Sequence, residues 1–135
     1  MGKDHITCVV AESYLTPIQK TILLVEDNPT LSRIMQRTIE NCTPYRVVHL
    51  FDGAAILEVL KEYQPDLLML DYDLPGKNGI ALYDLVHANP GCEHIPTIII
   101  SAELPERQIA QRSLLCLSKP YRTSVLLEML EGVLV

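Results

Sequence analysis

Four apolar runs in this chain end at polar residues that can handle charge. Glu26 and Asp27 follow Thr21 to Val25, Asp71 follows Leu67 to Leu70, Ser101 follows Thr97 to Ile100, and Lys119 lies just past Leu114 to Leu117. If the runs are strands of one parallel sheet, their carboxyl ends bring all five side chains to one edge, where ligands of such sheets bind. Three carboxylates within about 4 to 6 Å repel by several kcal/mol per pair at an effective dielectric of about 20, and a divalent cation removes the conflict. Hard oxygen ligands with positions left open for water and phosphate favour magnesium, whereas zinc prefers His and Cys. Ser101 can donate a hydrogen bond and Lys119 adds a point charge. Together they make a cradle for the equatorial oxygens of a phosphoryl group, over which charge spreads during transfer.

Neither Gly-x-x-x-x-Gly-Lys-Ser/Thr nor Gly-x-Gly-x-x-Gly is present to hold a nucleotide. The acceptor of the phosphoryl group is then a protein side chain. Asp71, ending the central run within reach of both the metal and Lys119, is placed to attack phosphorus in line and form an acyl phosphate.

The elements that must position these residues follow from patterning. From Thr21 onward, short apolar runs alternate with amphipathic segments, which predicts an α/β fold of parallel strands covered by helices on both faces. Five strands are expected, over Thr21–Val25, Arg46–Leu50, Leu67–Leu70, Thr97–Ile100 and Leu114–Leu117. Asn28 caps a first helix with Pro29 at its first position, and Leu31, Ile34, Met35, Thr38 and Ile39 fall on one face. A second helix opens at Asp52-Gly53, carries Ile56, Val59, Leu60 and Tyr63, and stops at Pro65. A third, Gly79 to Ala88, turns Leu82, Leu85 and Val86 inward and ends near Asn89-Pro90-Gly91. The last, from about Arg122, offers Leu126, Met129, Leu130 and Val133 as one stripe with Leu127 and Leu134 off it. That width suits either a broad core face or a partner-docking surface. Residues 1 to 19 fall outside the alternation and form an N-terminal extension to a domain over 20 to 135. Within the extension, Ile6 to Val10 reads as an edge strand or as an arm that pairs with another chain.

Composition bounds the partners. A chain of 135 residues holds one domain, and a formal charge of −6 without any basic run argues against direct nucleic-acid or anionic membrane binding. No apolar stretch approaches the roughly 18 residues of a membrane helix, and Glu12 soon interrupts the N-terminal apolar segment, so no secretory signal is read there. Cys8, Cys42, Cys92 and Cys116 are widely spaced, which predicts reduced thiols in a cytoplasmic protein. Cys92-Glu93-His94 has metal-ligand residue types but no second cluster to complete a site, and reads as a loop.

The set Glu26-Asp27, Asp71-x-x-Leu74-Pro75-x-x-x-Gly79, Ser101-Ala102 and Lys119-Pro120 resembles the CheY-like receiver domain of two-component response regulators, from Lys20 to about Val135. The resemblance implies a flavodoxin-like, doubly wound five-stranded sheet of order 2-1-3-4-5. It implies phosphorylation of Asp71 by a sensor histidine kinase or a histidine phosphotransfer protein, with output to a homodimer or a downstream protein. By the same resemblance, Asp27 and Asp71 bind Mg2+ directly, Glu26 partly through water and Asp73 through its backbone carbonyl. Ser101 swings toward the phosphoryl group, Lys119 pairs with it, and the Lys119-Pro120 peptide is cis. Asp73, two places after the acceptor, influences how long the phosphoryl group persists.

Two departures from the family stand out. Cys116 occupies the place three residues before the lysine where the family carries a Tyr or Phe switch, and Ser101 and Lys119 lie only 18 positions apart. Glu103 to Ser113 must therefore hold both loops and the whole fourth helix. A helix from Pro105 to Arg112 spans about 12 Å and offers only Ile109 and Ala110 as an apolar face, so a truncated or irregular helix and a remodelled output surface are predicted. Two other readings stay open. One is a receiver-like interaction module that no longer responds to phosphorylation. The other is a haloacid-dehalogenase-type phosphatase using Asp71-Tyr72-Asp73, although such enzymes place this motif after the first strand. Whether the domain stands alone or belongs to a longer regulator or hybrid kinase is open as well.

Overall fold

The computed structural model describes residues 19–135. The reading of Ile6 to Val10 therefore lies outside the described residues. Strands and helices alternate in the order β1 (Thr21–Val25), α1 (Pro29–Cys42), β2 (Arg46–Leu50), α2 (Ile56–Glu62), β3 (Leu67–Asp71), α3 (Gly79–His87), β4 (Thr97–Ser101), α4 (Glu106–Arg112), β5 (Leu115–Ser118) and α5 (Thr123–Leu134). The strands form one parallel sheet in the order β2-β1-β3-β4-β5, the predicted flavodoxin-like topology.

Strand periodicity divides the core into two layers. Ile22, Leu24, Leu67, Met69, Ile98 and Ile100 face α1 and α5, meeting Met35, Ile39, Leu126 and Leu130. Leu23, Val25, Leu68, Leu70 and Ile99 face the other way and meet Ile56, Leu60, Leu82, Val86 and Ile109. The inner strands β3 and β4 are buried along their whole length, so the sheet is covered on both faces, as parallel sheets require.

The helix faces differ from the reading in two places. On α1, Ser32, Met35 and Ile39 are buried, while Leu31 and Ile34 are 44% and 55% exposed. The rotation has a polar cause. Glu40 accepts from the Val47 N–H at 2.8 Å and Gln36 donates to the Val47 carbonyl at 3.3 Å, so α1 side chains close the outer edge of β2 and fix which stripe faces the sheet. On α5, Leu134 is buried with Leu126 and Leu130, against the expectation that it lay off the stripe, and Leu127, Met129 and Val133 pack beside it. The broad face of α5 is thus a core face. At the second helix, Asp52 accepts from the Ala54 N–H at 2.8 Å in a turn, and the helix begins only at Ile56.

The fourth helix is short, as predicted. It has seven residues, no side-chain cap and Ile109 as its one buried residue, and it ends at Ser113 in the left-handed region at φ 54°. What apolar contact does not supply, a fork does: Arg112 Nε and Nη2 donate to Asp84 of α3 at 2.7 and 2.8 Å. Arg112→Ala is expected to raise amide hydrogen exchange across Glu106–Arg112 severalfold while β3 and β4 stay protected. Hydrogen bonding from Arg112 holds the Asp84 carboxyl below its usual value of 3.8. A depressed acid stabilises the fold above its unfolded pKa, so this anchoring is lost as pH falls below about 3.8 and through the folded value.

Candidate functional site

Each strand that carries a site residue ends at the same edge. In the ladder, Asp71 pairs with Ile100 and Ser101 with Ser118, while the Lys119 N–H donates to the Ser101 carbonyl at 2.9 Å. Asp71 and Ser101 are therefore the last residues of β3 and β4, one place beyond the expected ends, and their side chains inherit the rigidity of the sheet.

The edge gathers the acids. Glu26, Asp27 and Asp71 each place a carboxylate oxygen within 4.8 Å of the others, with Glu26 and Asp71 buried and Asp27 exposed. Ionised pairs at that spacing repel by about 3.5 kcal/mol at an effective dielectric of about 20. Lys119 Nζ answers part of this charge, lying 3.2 Å from Asp71 Oδ1 and 3.5 Å from Glu26 Oε1. Burial, then the charge of Asp71 and contact with Asp27, hold the Glu26 carboxyl above its usual range, against the Asn28 N–H and Lys119, which favour the ionised form. Burial disfavours the Lys119 ammonium, but Asp71 and Glu26 together outweigh it and its pKa ends above the usual 10.5. One ammonium against three carboxylates leaves a deficit of positive charge, and the donors are all hard oxygens. A divalent cation of the Mg2+ class fits this set.

The remaining predicted residues take less direct places. The Asp73 carboxylate is exposed and outside the three-acid cluster, although its N–H donates to Asp71 Oδ1 at 3.4 Å. The Ser101 hydroxyl is bonded to the backbone of the loop that follows it. It donates to the Glu103 carbonyl at 2.6 Å and accepts from the Glu103 N–H at 3.2 Å. The Lys119-Pro120 peptide is cis. Cys92 is buried, accepting from Asn89 Nδ2 at 3.4 Å, and does not join a metal cluster among the described residues.

Sequence reasoning undervalued two residues. Gly79, the first residue of α3, donates its N–H to the Tyr72 carbonyl, and a Cβ there would sit 2.7 Å from the Asp71 carbonyl oxygen. That neighbour is backbone, so it cannot move aside without moving Asp71. Gly79→Ala is expected to destabilise the domain by about 1 to 3 kcal/mol, the range for overpacking, as read by urea unfolding. The glycine was visible in the motif, but its reason lies in a close approach that only the fold reveals. Tyr121 is the second. With Leu31, Met35, Ala102 and Pro120 it lines a pocket of about 420 Å³ that opens beside Glu26 and Lys119.

Comparison with known proteins places this geometry. The profile described as the response regulator receiver domain matches residues 22–131. The chain is 28% identical over 116 residues to the chemotaxis protein CheY of Pseudomonas aeruginosa, covering 83% of this chain and 94% of CheY. It is 37% identical over 94 residues to the two-component response regulator-like protein APRR9 of Arabidopsis thaliana, covering 68% of this chain but only 20% of that protein. Among solved structures, the Mn(2+)-bound form of response regulator Rcp1 superposes with a TM-score of 0.68 at 28% identity, over 84% of this chain and 91% of that one. The phosphorylated cyanobacterial phytochrome response regulator RcpA gives 0.70 at 27% identity, over 86% and 91%. With its five-stranded fold and its acidic edge, the chain belongs to the response regulator receiver domains of two-component signalling, which work with histidine kinases.

Proposed function

We propose that this domain, spanning residues 20 to 135 after an N-terminal extension over 1 to 19, accepts a phosphoryl group on Asp71 from a phosphohistidine of a sensor histidine kinase or phosphotransfer protein. The observation that carries the reading is the buried Asp71 carboxylate held between the Glu26-Asp27 pair and Lys119 Nζ at 3.2 Å. An Asp71 carboxylate oxygen attacks phosphorus, the bond from phosphorus to the imidazole nitrogen breaks, and its electron pair stays on the ring. The acyl phosphate remains on Asp71. Lys119 keeps its ammonium at the acceptor oxygen and follows the charge onto the phosphoryl group.

Glu26, Asp27 and Asp71 would hold Mg2+, with the Asp73 carbonyl as a further ligand, and the ion supplies neutralisation of the acids and of the phosphoryl oxygens. The related structures with Mn(2+) bound to Rcp1 and with RcpA phosphorylated support both parts of the reading. Ser101 must release Glu103 before its hydroxyl can reach the phosphoryl group. The exposed Asp73 carboxylate stands at the mouth of the site, where it influences the lifetime of the acyl phosphate. The domain is a phosphoacceptor rather than an enzyme with a separate substrate, and its place is the cytoplasm, in line with the free thiols of Cys42, Cys92 and Cys116. Asp71 ends the third strand of a receiver fold, which argues against the phosphatase reading.

The output is atypical. Cys116 packs half-buried against the layer under α4 where the family carries an aromatic switch, and α4 has two turns. These two features favour a second reading, an interaction module that ignores phosphorylation. Incubation with acetyl phosphate and MgCl2, read by intact mass, separates the two. A gain of one phosphoryl group that EDTA prevents supports the acceptor. No gain, together with no binding of beryllofluoride, establishes the module.

A further inference from the structure

We infer that His49 is a positioning residue for the acidic pair, an inference that rests on the phosphoacceptor reading and extends it to a residue of the edge strand. The ladder between β1 and β2 closes with the Glu26 N–H donating to the Leu50 carbonyl at 3.1 Å. In a continuing parallel ladder the Glu26 carbonyl would next accept a main-chain N–H from the partner strand. β2 ends at Leu50, and the His49 ring takes that acceptor: Nε2 lies 2.8 Å from the Glu26 carbonyl oxygen. A carbonyl can only accept, so the Nε2 atom carries the hydrogen. Phe51 packs edge-on against the ring, with centroids 4.3 Å apart and planes at 69°, which limits its rotation.

The consequence falls on Asp27. The Glu26 carbonyl belongs to the peptide plane that leads into Asp27, the exposed acid of the cluster. The Glu26 side chain has anchors of its own in the Asn28 N–H at 3.0 Å and in Lys119. The plane that aims Asp27 has the His49 bond. Groups that orient metal ligands from behind typically change metal affinity by about 10- to 100-fold when removed.

The test uses MnCl2 as the probe, with free Mn2+ followed by electron paramagnetic resonance. His49→Leu is expected to weaken Mn2+ affinity about tenfold. His49→Gln, whose amide can donate from a similar reach, is expected to restore most of it. Equal affinity in wild type and H49L overturns the inference, as does a weak H49Q, since donation and not bulk is then irrelevant. The wild-type protein gives an answer that does not depend on any variant folding: long-range nitrogen-proton NMR is expected to show the Nε2–H tautomer at neutral pH, and the Nδ1–H tautomer overturns the assignment. If wild type itself binds no Mn2+, the phosphoacceptor reading fails, an outcome distinct from unchanged affinity in H49L.

Discussion

Asp71→Asn is expected to take up no phosphoryl group from acetyl phosphate or phosphoramidate with MgCl2, while wild type gains one by intact mass. The amide keeps the shape of the carboxylate and can still accept from the Asp73 N–H and from Lys119 through its oxygen. It lacks the anionic oxygen that forms the bond to phosphorus, so the loss is complete rather than graded. The same change has a second signature. Glu26 is held above its usual 4.5 by burial and by the charge of Asp71. An acid raised in the folded state favours folding when protonated, so its stabilisation is full below about 4.5 and is lost as pH rises through the folded value. Asp71→Asn removes one source of that shift. In EDTA at about pH 7 the variant is expected to be more stable than wild type, an advantage that shrinks toward pH 4.5. MgCl2 should reverse the order by stabilising wild type through binding. Phosphoryl uptake by the variant at another residue would dismiss Asp71 as the acceptor.

The sheet and its acidic edge were legible because they depend on local signals. Short apolar runs bounded by Gly, Pro or charge mark buried strands, and a polar residue at the end of such a run marks the edge. Asp71 and Ser101 were found this way, each one residue outside the expected strand and inside the observed one. What the pattern missed depends on partners far along the chain. Leu31 and Ile34 looked inward by periodicity, yet Glu40 and Gln36 bond Val47 on another element and turn α1 so that both lie outside. His49 reads as an ordinary strand residue until β2 is seen to stop one bond short of the Glu26 carbonyl. Ser101 was readable as a hydrogen-bond donor, but its present partner, the Glu103 carbonyl, is a loop property that no spacing encodes. The short α4 was predicted from a count of residues. The Asp84 fork that anchors it was not, since two charges 28 positions apart carry no local sign of meeting.

Lys119→Met tests the charge balance of the site from the opposite side. The ammonium is the only cation within salt-bridge distance of Asp71 and Glu26 among the described residues, so its loss leaves the cluster more strongly negative. Phosphoryl transfer from acetyl phosphate is expected to slow by about 10² to 10³, the scale for removing one preorganised charge from a transition state. Mn2+ affinity is expected to rise at the same time, because the metal no longer competes with Lys119 for Asp71. Slower transfer with tighter metal binding is a combination that general damage to the fold cannot give, since damage weakens both. Alkaline stability supplies an independent reading. The Lys119 pKa lies above 10.5 in the folded protein, so its stabilisation is full below about 10.5 and is lost as pH rises through the folded value. Wild type should lose stability in that range and the variant should not lose this contribution. If transfer and metal affinity both stay at wild-type levels in Lys119→Met, the contact at 3.2 Å carries no part of the chemistry and neutralisation of the phosphoryl group falls to the cation that the acids would hold.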